Sequence, residues 1–332
     1  MTANVPVVHT IEALRARVAA WRANGERIGL VPTMGALHAG HLSLVEAARR
    51  GAQRVVVTVF VNPAQFGPSE DFTKYPRTLP ADLEKLESAA ADLCFAPAVE
   101  EMYPHGFATR IEMDGPARAD LEDRFRPTHF SGVATVVAKL LNQAGADVAL
   151  FGEKDYQQLL VIRQLARDLD IATRILSAPT LRETDGLAMS SRNVYLSAAE
   201  RRAAPALFLA MQEAARRIAA GEAIEPCLEI ARKSVGEAGF VIDYLEARQA
   251  ETLARVARRR EGPIRLLAAA RRDAAYRQSG GVSGTIRVIS TMTPPCAPAP
   301  NCGKRRASCR NSGERRGESW FRRNSRNSPP IA

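Results

Sequence analysis

Val31-Pro-Thr-Met-Gly-Ala-Leu-His-Ala-Gly-His-Leu-Ser-Leu-Val45 constrains this chain more than any other stretch. Ahead of it, Arg27-Ile28-Gly29-Leu30-Val31 is a short apolar run closed by Pro32, the pattern of a strand buried in a parallel sheet. Behind it, Leu42, Leu44, Val45 and Ala48 recur at helical spacing, so a helix is predicted to begin near Gly40. A strand that turns through glycine into a helix start offers backbone N–H groups and the positive end of a helix dipole to an anion. Gly35 and Gly40 let that backbone come close, and His38 and His41 stand at the helix mouth, where imidazoles can donate to phosphate oxygens. The glycines match neither P-loop nor dinucleotide spacing, and no Gly-Lys-Ser follows. On spacing alone, a metal pair or two surface histidines stay open.

The same strand, glycine, helix-start pattern returns at Asp147-Val-Ala-Leu-Phe151 and Gly152-Glu-Lys-Asp155. Lys154 and Gln158 are four apart and share a face of the predicted helix. A lysine at a helix start is misplaced with respect to the helix dipole unless an anion joins it. Between the two patterns, Arg54–Val61 is a β-branched strand ending at Asn62-Pro63, and the segment after a strand's carboxyl end lines the crevice of an open α/β sheet. That places Gln65, with Asn62 and Tyr75 as weaker candidates. Thr10 is a plausible cap for a helix to about Asn24. Further helices are read at Pro80–Ala91 and Gly132–Ala144, and strands at Asp92–Phe95, Thr109–Met113 and Ile171–Leu176. Helices from Ser197 and at Pro226–Ala238, with strands at Phe240–Glu246 and Pro263–Ala269, make a second, smaller unit. The expected class is α/β, a Rossmann-like parallel sheet with a smaller C-terminal α+β domain.

At 332 residues there is length for two cores. No stretch of about 18 uninterrupted apolar residues suggests a membrane span, and no leader precedes a cleavage site, so a soluble cytoplasmic protein is expected. The charge of +10 is unevenly placed: residues 272–332 carry twelve basic and three acidic residues, leaving +1 for residues 1–271. Five cysteines without ligand-like pairs argue against a disulfide framework or a zinc site.

Four motifs occur in order: Pro32-Thr-Met-Gly-Ala-Leu-His-Ala-Gly-His41, Phe60-Val-Asn-Pro-Ala-Gln-Phe66, Phe151-Gly-Glu-Lys-Asp-Tyr-Gln-Gln158 and Met189-Ser-Ser-Arg-Asn193. The His-x-Gly-His turn resembles that of nucleotidylyl transferases and class I aminoacyl-tRNA synthetases. The four together resemble the pantothenate synthetase (pantoate–beta-alanine ligase) family over about residues 5–271. The resemblance implies ATP-dependent condensation of pantoate with beta-alanine through an acyl adenylate, Mg²⁺ with the nucleotide, no protein-held metal, and a homodimer. It implies ATP contacts at Met34, Gly35, Ala36, Leu37, His38, Ala39, Gly40 and His41, at Gly152, Glu153, Lys154 and Asp155, and at Leu181, Met189, Ser190, Ser191 and Arg192. Gln65 and Gln158 would hold pantoate, Gln65 also beta-alanine. His41 would be the proton donor, with His38 and Lys154 stabilising phosphate charge. Residues 1–183 would bind ATP and pantoate and residues 184–271 would form a lid.

Residues 272–332 have no leucine, eleven arginines, eight serines, six prolines and three cysteines, a composition expected to be disordered. Out-of-frame translation of a GC-rich gene gives such a run. The rival readings are a basic arm that binds nucleic acid, which is not the expected partner, and another nucleotidylyl transferase of the same superfamily.

Overall fold

The computed structural model describes residues 5–67, 70, 72–258, 262–272 and 286–292. Its elements run β1 (Val7–Val8), α1 (Ile11–Ala23), β2 (Ile28–Thr33), α2 (Ala39–Arg49), β3 (Arg54–Val59), α3 (Leu79–Ser88), β4 (Leu93–Phe95), α4 (Val99–Met102), α5 (Glu122–Phe125) and α6 (His129–Ala144). They continue through β5 (Val148–Gly152), α7 (Tyr156–Asp168), β6 (Arg174–Ala178), α8 (Ala198–Ala203), α9 (Ala206–Ala219), α10 (Ile224–Glu237), β7 (Val241–Gln249), β8 (Ile264–Arg272) and β9 (Ile286–Met292). All lie within one compact unit, Met1–Pro295.

The first six strands form one sheet in the order β1-β4-β3-β2-β5-β6, parallel at every pairing. From β2 the chain steps outward through β3 to β4, then crosses back to β5 on the other side of β2. The order therefore reverses between β2 and β5, where open α/β sheets place their ligand crevice beyond the strands' carboxyl ends. Thr33 and Gly152 end those two strands, so topology brings the two glycine-turn motifs together. Ile28, Leu30, Val55, Val56, Val57, Val148 and Ala149 are wholly buried, as expected of strands covered on both faces.

β2 runs two residues past the predicted stop and includes Pro32. Its pairing with β5 ends at Leu30, so the proline's missing N–H breaks no bond on that side. Thr10 caps α1, accepting from Ala13 N–H at 3.2 Å. The Thr109–Met113 strand is not formed. Ile111 N–H instead donates to the Thr135 hydroxyl at 3.0 Å, so the segment is tied to α6 by a side chain and not to the sheet.

β7, β8 and β9 make an antiparallel sheet packed with α9 and α10 around Leu207, Met211, Ile218, Leu228, Val235, Leu245 and Leu266. Here the sequence reading needs correction. Ile286–Met292 pairs along β8 from Arg272 to Leu266, so the ordered chain does not stop at 271. The expectation of disorder for the other residues after 272 falls outside the described residues.

Candidate active site

Beyond the carboxyl ends of β2 and β5 lies a cavity of about 290 Å³. It is lined by Met34, His38, Gly40 and His41 from the first turn, Gln65 and Tyr75 from the segment after β3, and Gly152, Lys154, Asp155 and Gln158 from the second turn. Leu181, Met189, Ser190, Ser191 and Arg192 close another side. Gly35, Ala36, Leu37, Ala39 and Glu153 do not reach it. Glu153 faces the second sheet, paired with Arg265 at 3.1 Å.

Most of the backbone N–H groups of the first turn already have partners within the protein. Gly35 N–H donates to Thr33 Oγ1, Ala36 and Leu37 N–H to the two oxygens of Asp82, His38 N–H to His41 Nδ1, Gly40 N–H to His38 Nδ1, and His41 N–H to His38 O. These donors are already engaged. What the turn presents is side chains.

His38 is the N-cap of α2 and His41 its third residue, and each imidazole accepts a backbone N–H through Nδ1 in a reciprocal capping box. A neutral imidazole that accepts at Nδ1 carries its proton at Nε2, so both rings become donors on their far side. The rings lie 4.1 Å apart, centroid to centroid. Burial, then the charges of Lys154 and Lys85, push His38 down to about 4. Burial, then His38 and Lys154, push His41 down to about 3. At neutral pH both are uncharged. A neutral ring of this tautomer can donate a hydrogen bond through Nε2.

Lys154 sits on the short turn Glu153–Asp155 before α7, not on the helix carrying Gln158, and lies 3.4 Å from Asp155 Oδ2. Both still line the cavity. Gln65 lies on a one-turn helix, Pro63–Gln65, capped by Asn62. Asn62, 1% exposed, donates to Gln65 Oε1 at 3.2 Å and to Gly132 O at 3.2 Å, and accepts from Tyr103 OH at 2.7 Å. That fixes which way the Gln65 amide faces, with Nε2 toward Met34 Sδ at 3.0 Å.

Arg126 is not singled out in the sequence, and His129 reads there as a residue of a Pro- and Gly-flanked loop. Both line the cavity and donate to Gln65 O, Arg126 at 3.2 Å and His129 Nδ1 at 3.0 Å, while Arg126 pairs with Glu70 at 2.6 Å. Their signal is Arg126-Pro-Thr-His129, a cation and an imidazole three apart at a helix start. Glu122, Gln157 and Tyr244 also line the cavity and went unread. Tyr75 reaches Ser191, hydroxyl to hydroxyl, at 2.9 Å, joining two walls.

A parallel sheet with a crevice at its switch point, lined by three imidazoles, a lysine, two arginines and two serines, is the architecture of an α/β enzyme suited to an anionic substrate. The sequence profile of the family described as Pantoate-beta-alanine ligase matches residues 6–290. The chain belongs to the pantoate-beta-alanine ligase family. Pantothenate synthetase 2 of Bradyrhizobium diazoefficiens is 56% identical over 265 residues, covering 80% of this chain and 94% of that protein. Pantothenate synthetase of Rhodopseudomonas palustris is 57% identical over 265 residues with the same shares. Pantothenate synthetase from Thermus thermophilus superposes with a TM-score of 0.79 at 44% identity, covering 87% of this chain and 99% of that one. The pantoate-beta-alanine ligase from Francisella tularensis, crystallised with beta-gamma ATP and beta-alanine, gives 0.71 at 30% identity, covering 87% and 98%. The family match to residue 290 takes in part of β9 and moves the expected break in similarity beyond 271.

Proposed function

We propose that this chain condenses (R)-pantoate with beta-alanine at the expense of ATP, giving pantothenate, AMP and diphosphate. The observation that carries the reading is the pair of Nε2–H donors beside Lys154 in the switch-point crevice, in a chain of this family. A carboxylate and an ammonium do not condense unaided. A pantoate carboxylate oxygen attacks the α-phosphorus and the bond to the diphosphate breaks. The amine of beta-alanine then attacks the acyl carbon and AMP leaves.

In this scheme negative charge grows on the phosphate oxygens during the first step. His38 and His41 donate through Nε2, Lys154 and Arg192 supply charge, and Ser190 and Ser191 add hydroxyl donors. Their arrangement is set before substrate arrives, so little reorganisation is needed in the transition state. The amides of Gln65 and Gln158 take the hydroxyl and carboxylate groups of pantoate, and Gln65 also meets beta-alanine. Asp155 holds the ribose. Leu181 and Met189 give the nucleotide an apolar wall.

Among the described residues, no three His, Cys, Asp or Glu side chains converge as a metal cage. Mg²⁺ enters here with the triphosphate, as part of the substrate. Residues 1–183 hold ATP and pantoate and residues 184–271 act as the lid. The chain works as a homodimer in the cytoplasm; among the described residues no helix is long and apolar enough to cross a membrane.

The test is pantoate-dependent ATP–pyrophosphate exchange without beta-alanine, run on the wild type and His41→Ala. Exchange in the wild type, about 10²- to 10⁴-fold slower in the variant, is expected for loss of one such group. Absence of exchange, or release of a dinucleotide in place of AMP when beta-alanine is added, would overturn the reading.

A further inference from the structure

The turn that presents the two imidazoles is gripped from behind by one turn of α3. Asp82 is wholly buried, 0% exposed. Its Oδ2 accepts from Ala36 N–H at 2.9 Å and from Thr78 Oγ1 at 3.2 Å, and its Oδ1 accepts from Leu37 N–H at 2.7 Å. Three residues on, Lys85 Nζ donates to Leu37 O at 2.7 Å and lies 4.0 Å from Asp82 Oδ1. Leu37 is thus held at both its N–H and its carbonyl, immediately before the N-cap His38.

The turn needs holding. Gly35 has φ +81° and Ala36 φ +50°, two successive left-handed residues, the second with a side chain that disfavours that region. A carboxylate removed from water is costly unless its oxygens are hydrogen-bonded, and here its backbone bonds go to the residues of this turn. Neither Asp82 nor Lys85 lines the cavity, so their hydrogen bonds act on the chemistry through the turn, while the Lys85 charge also acts on the imidazoles across space.

We propose that Asp82, with Lys85 beside it, is a positioning pair that sets where His38 and His41 aim their Nε2–H groups. The inference deepens the proposed ligase function and rests on it for the role of the imidazoles. In Asp82→Asn one accepting oxygen becomes an NH₂ group, so one of the two turn N–H groups loses its partner.

The expected result is a folded variant in which single-turnover adenylate formation falls about 10²-fold while the ATP dissociation constant stays within about threefold. The ¹⁵N resonances of His38 and His41 should leave the single Nε2–H tautomer pattern of the wild type. If they shift while the rate stays, the clamp stands and the imidazoles lose their part in the chemistry. If neither moves, or the rate falls with the imidazole signals unchanged, the positioning pair is refuted. Should Asp82→Asn fail to fold, Lys85→Met removes the bond to Leu37 O, the ion pair with Asp82 and a charge that acts on both imidazoles, from a half-exposed side chain. About a tenfold slower rate with displaced imidazole signals is then expected, and unchanged values in both overturn the proposal.

Discussion

Gly132→Ala tests how the Gln65 side of the cavity is built. Gly132 lies in the first turn of α6, and a Cβ placed there would fall on the carbonyl group of Ala64 and within 2.7 Å of Gln65 Cα. The obstacle is backbone on both sides, so no side chain can swing away. Restoring an ordinary contact requires α6 and the Pro63–Gln65 turn to separate by about 1 Å, at a cost near the top of the ~1–3 kcal/mol range for overpacking. For a chain of this size that lowers Tm by roughly 4–5 °C. The separation also strains the bonds that register the turn on α6, from Asn62 to Gly132 O and from His129 and Arg126 to Gln65 O. Gln65 is carried with them, and a displacement of ~1 Å at a positioning group costs on the order of 10²-fold in rate. Differential scanning calorimetry and pantoate-dependent pyrophosphate exchange measure the two effects. Gly236→Ala is the control, because its Cβ would meet nothing within 4 Å and α10 should gain ~0.5–1 kcal/mol. Should Gly132→Ala melt and exchange like the wild type, the close approach does not position Gln65.

Lys154→Ala should lower the turnover number by ~10²- to 10³-fold with a smaller change in KM for ATP, since charge develops on the phosphates mainly in the transition state; a change confined to KM would assign it to ground-state binding. Between pH 6.5 and 4 the stability carries contributions from His38, His41 and His129, which burial pushes down to about 4, about 3 and about 4. Their folded values lie below the unfolded value near 6.5, so their contribution is complete above that pH and falls with acidification toward the folded values, each adding a slope of ~1.4 kcal/mol per pH unit. Urea unfolding at several pH values between 7 and 4 checks this, and His129→Gln should remove one such slope; an unaltered slope would show that His129 is not held neutral. Ending the chain after Met292 should leave melting and exchange unchanged, whereas ending it after Arg272 strips β9 from β8 and should destabilise the second sheet; equal behaviour of the two truncations would remove β9 from the fold.

The parallel sheet was legible because its strands are buried on both faces and read as unbroken apolar runs, as at Val55–Val57 and Val148–Phe151. β1, two residues long, carries no period to read. Ile286–Met292 has the β-branched content of a strand but sits in a stretch without leucine, and averaging over that stretch hid seven strand residues. Thr109–Met113 has strand composition but no strand partner, and its N–H at Ile111 is met by Thr135. The first-turn amides looked available because sequence cannot show that Asp82, some 45 positions away, occupies two of them. Asp82 itself reads as an ordinary polar position in the first turn of a helix.

The interval between the two histidines has a cause that the structure supplies. His38 and His41 occupy the N-cap and third positions of α2, the two positions that exchange hydrogen bonds in a capping box. Serine and glutamate would close the same box, but a carboxylate has no proton to donate and a serine hydroxyl spends its own within the box, as Ser197 does on Glu200. An imidazole has two nitrogens on opposite sides of a rigid ring, so it can accept from the backbone at Nδ1 and still present Nε2–H to the cavity. The capping bond thereby selects the tautomer, and burial keeps the ring neutral. A spacing of three comes from the geometry of a helix end, and histidine at both places is a side chain that can cap the helix and still offer a donor to the cavity.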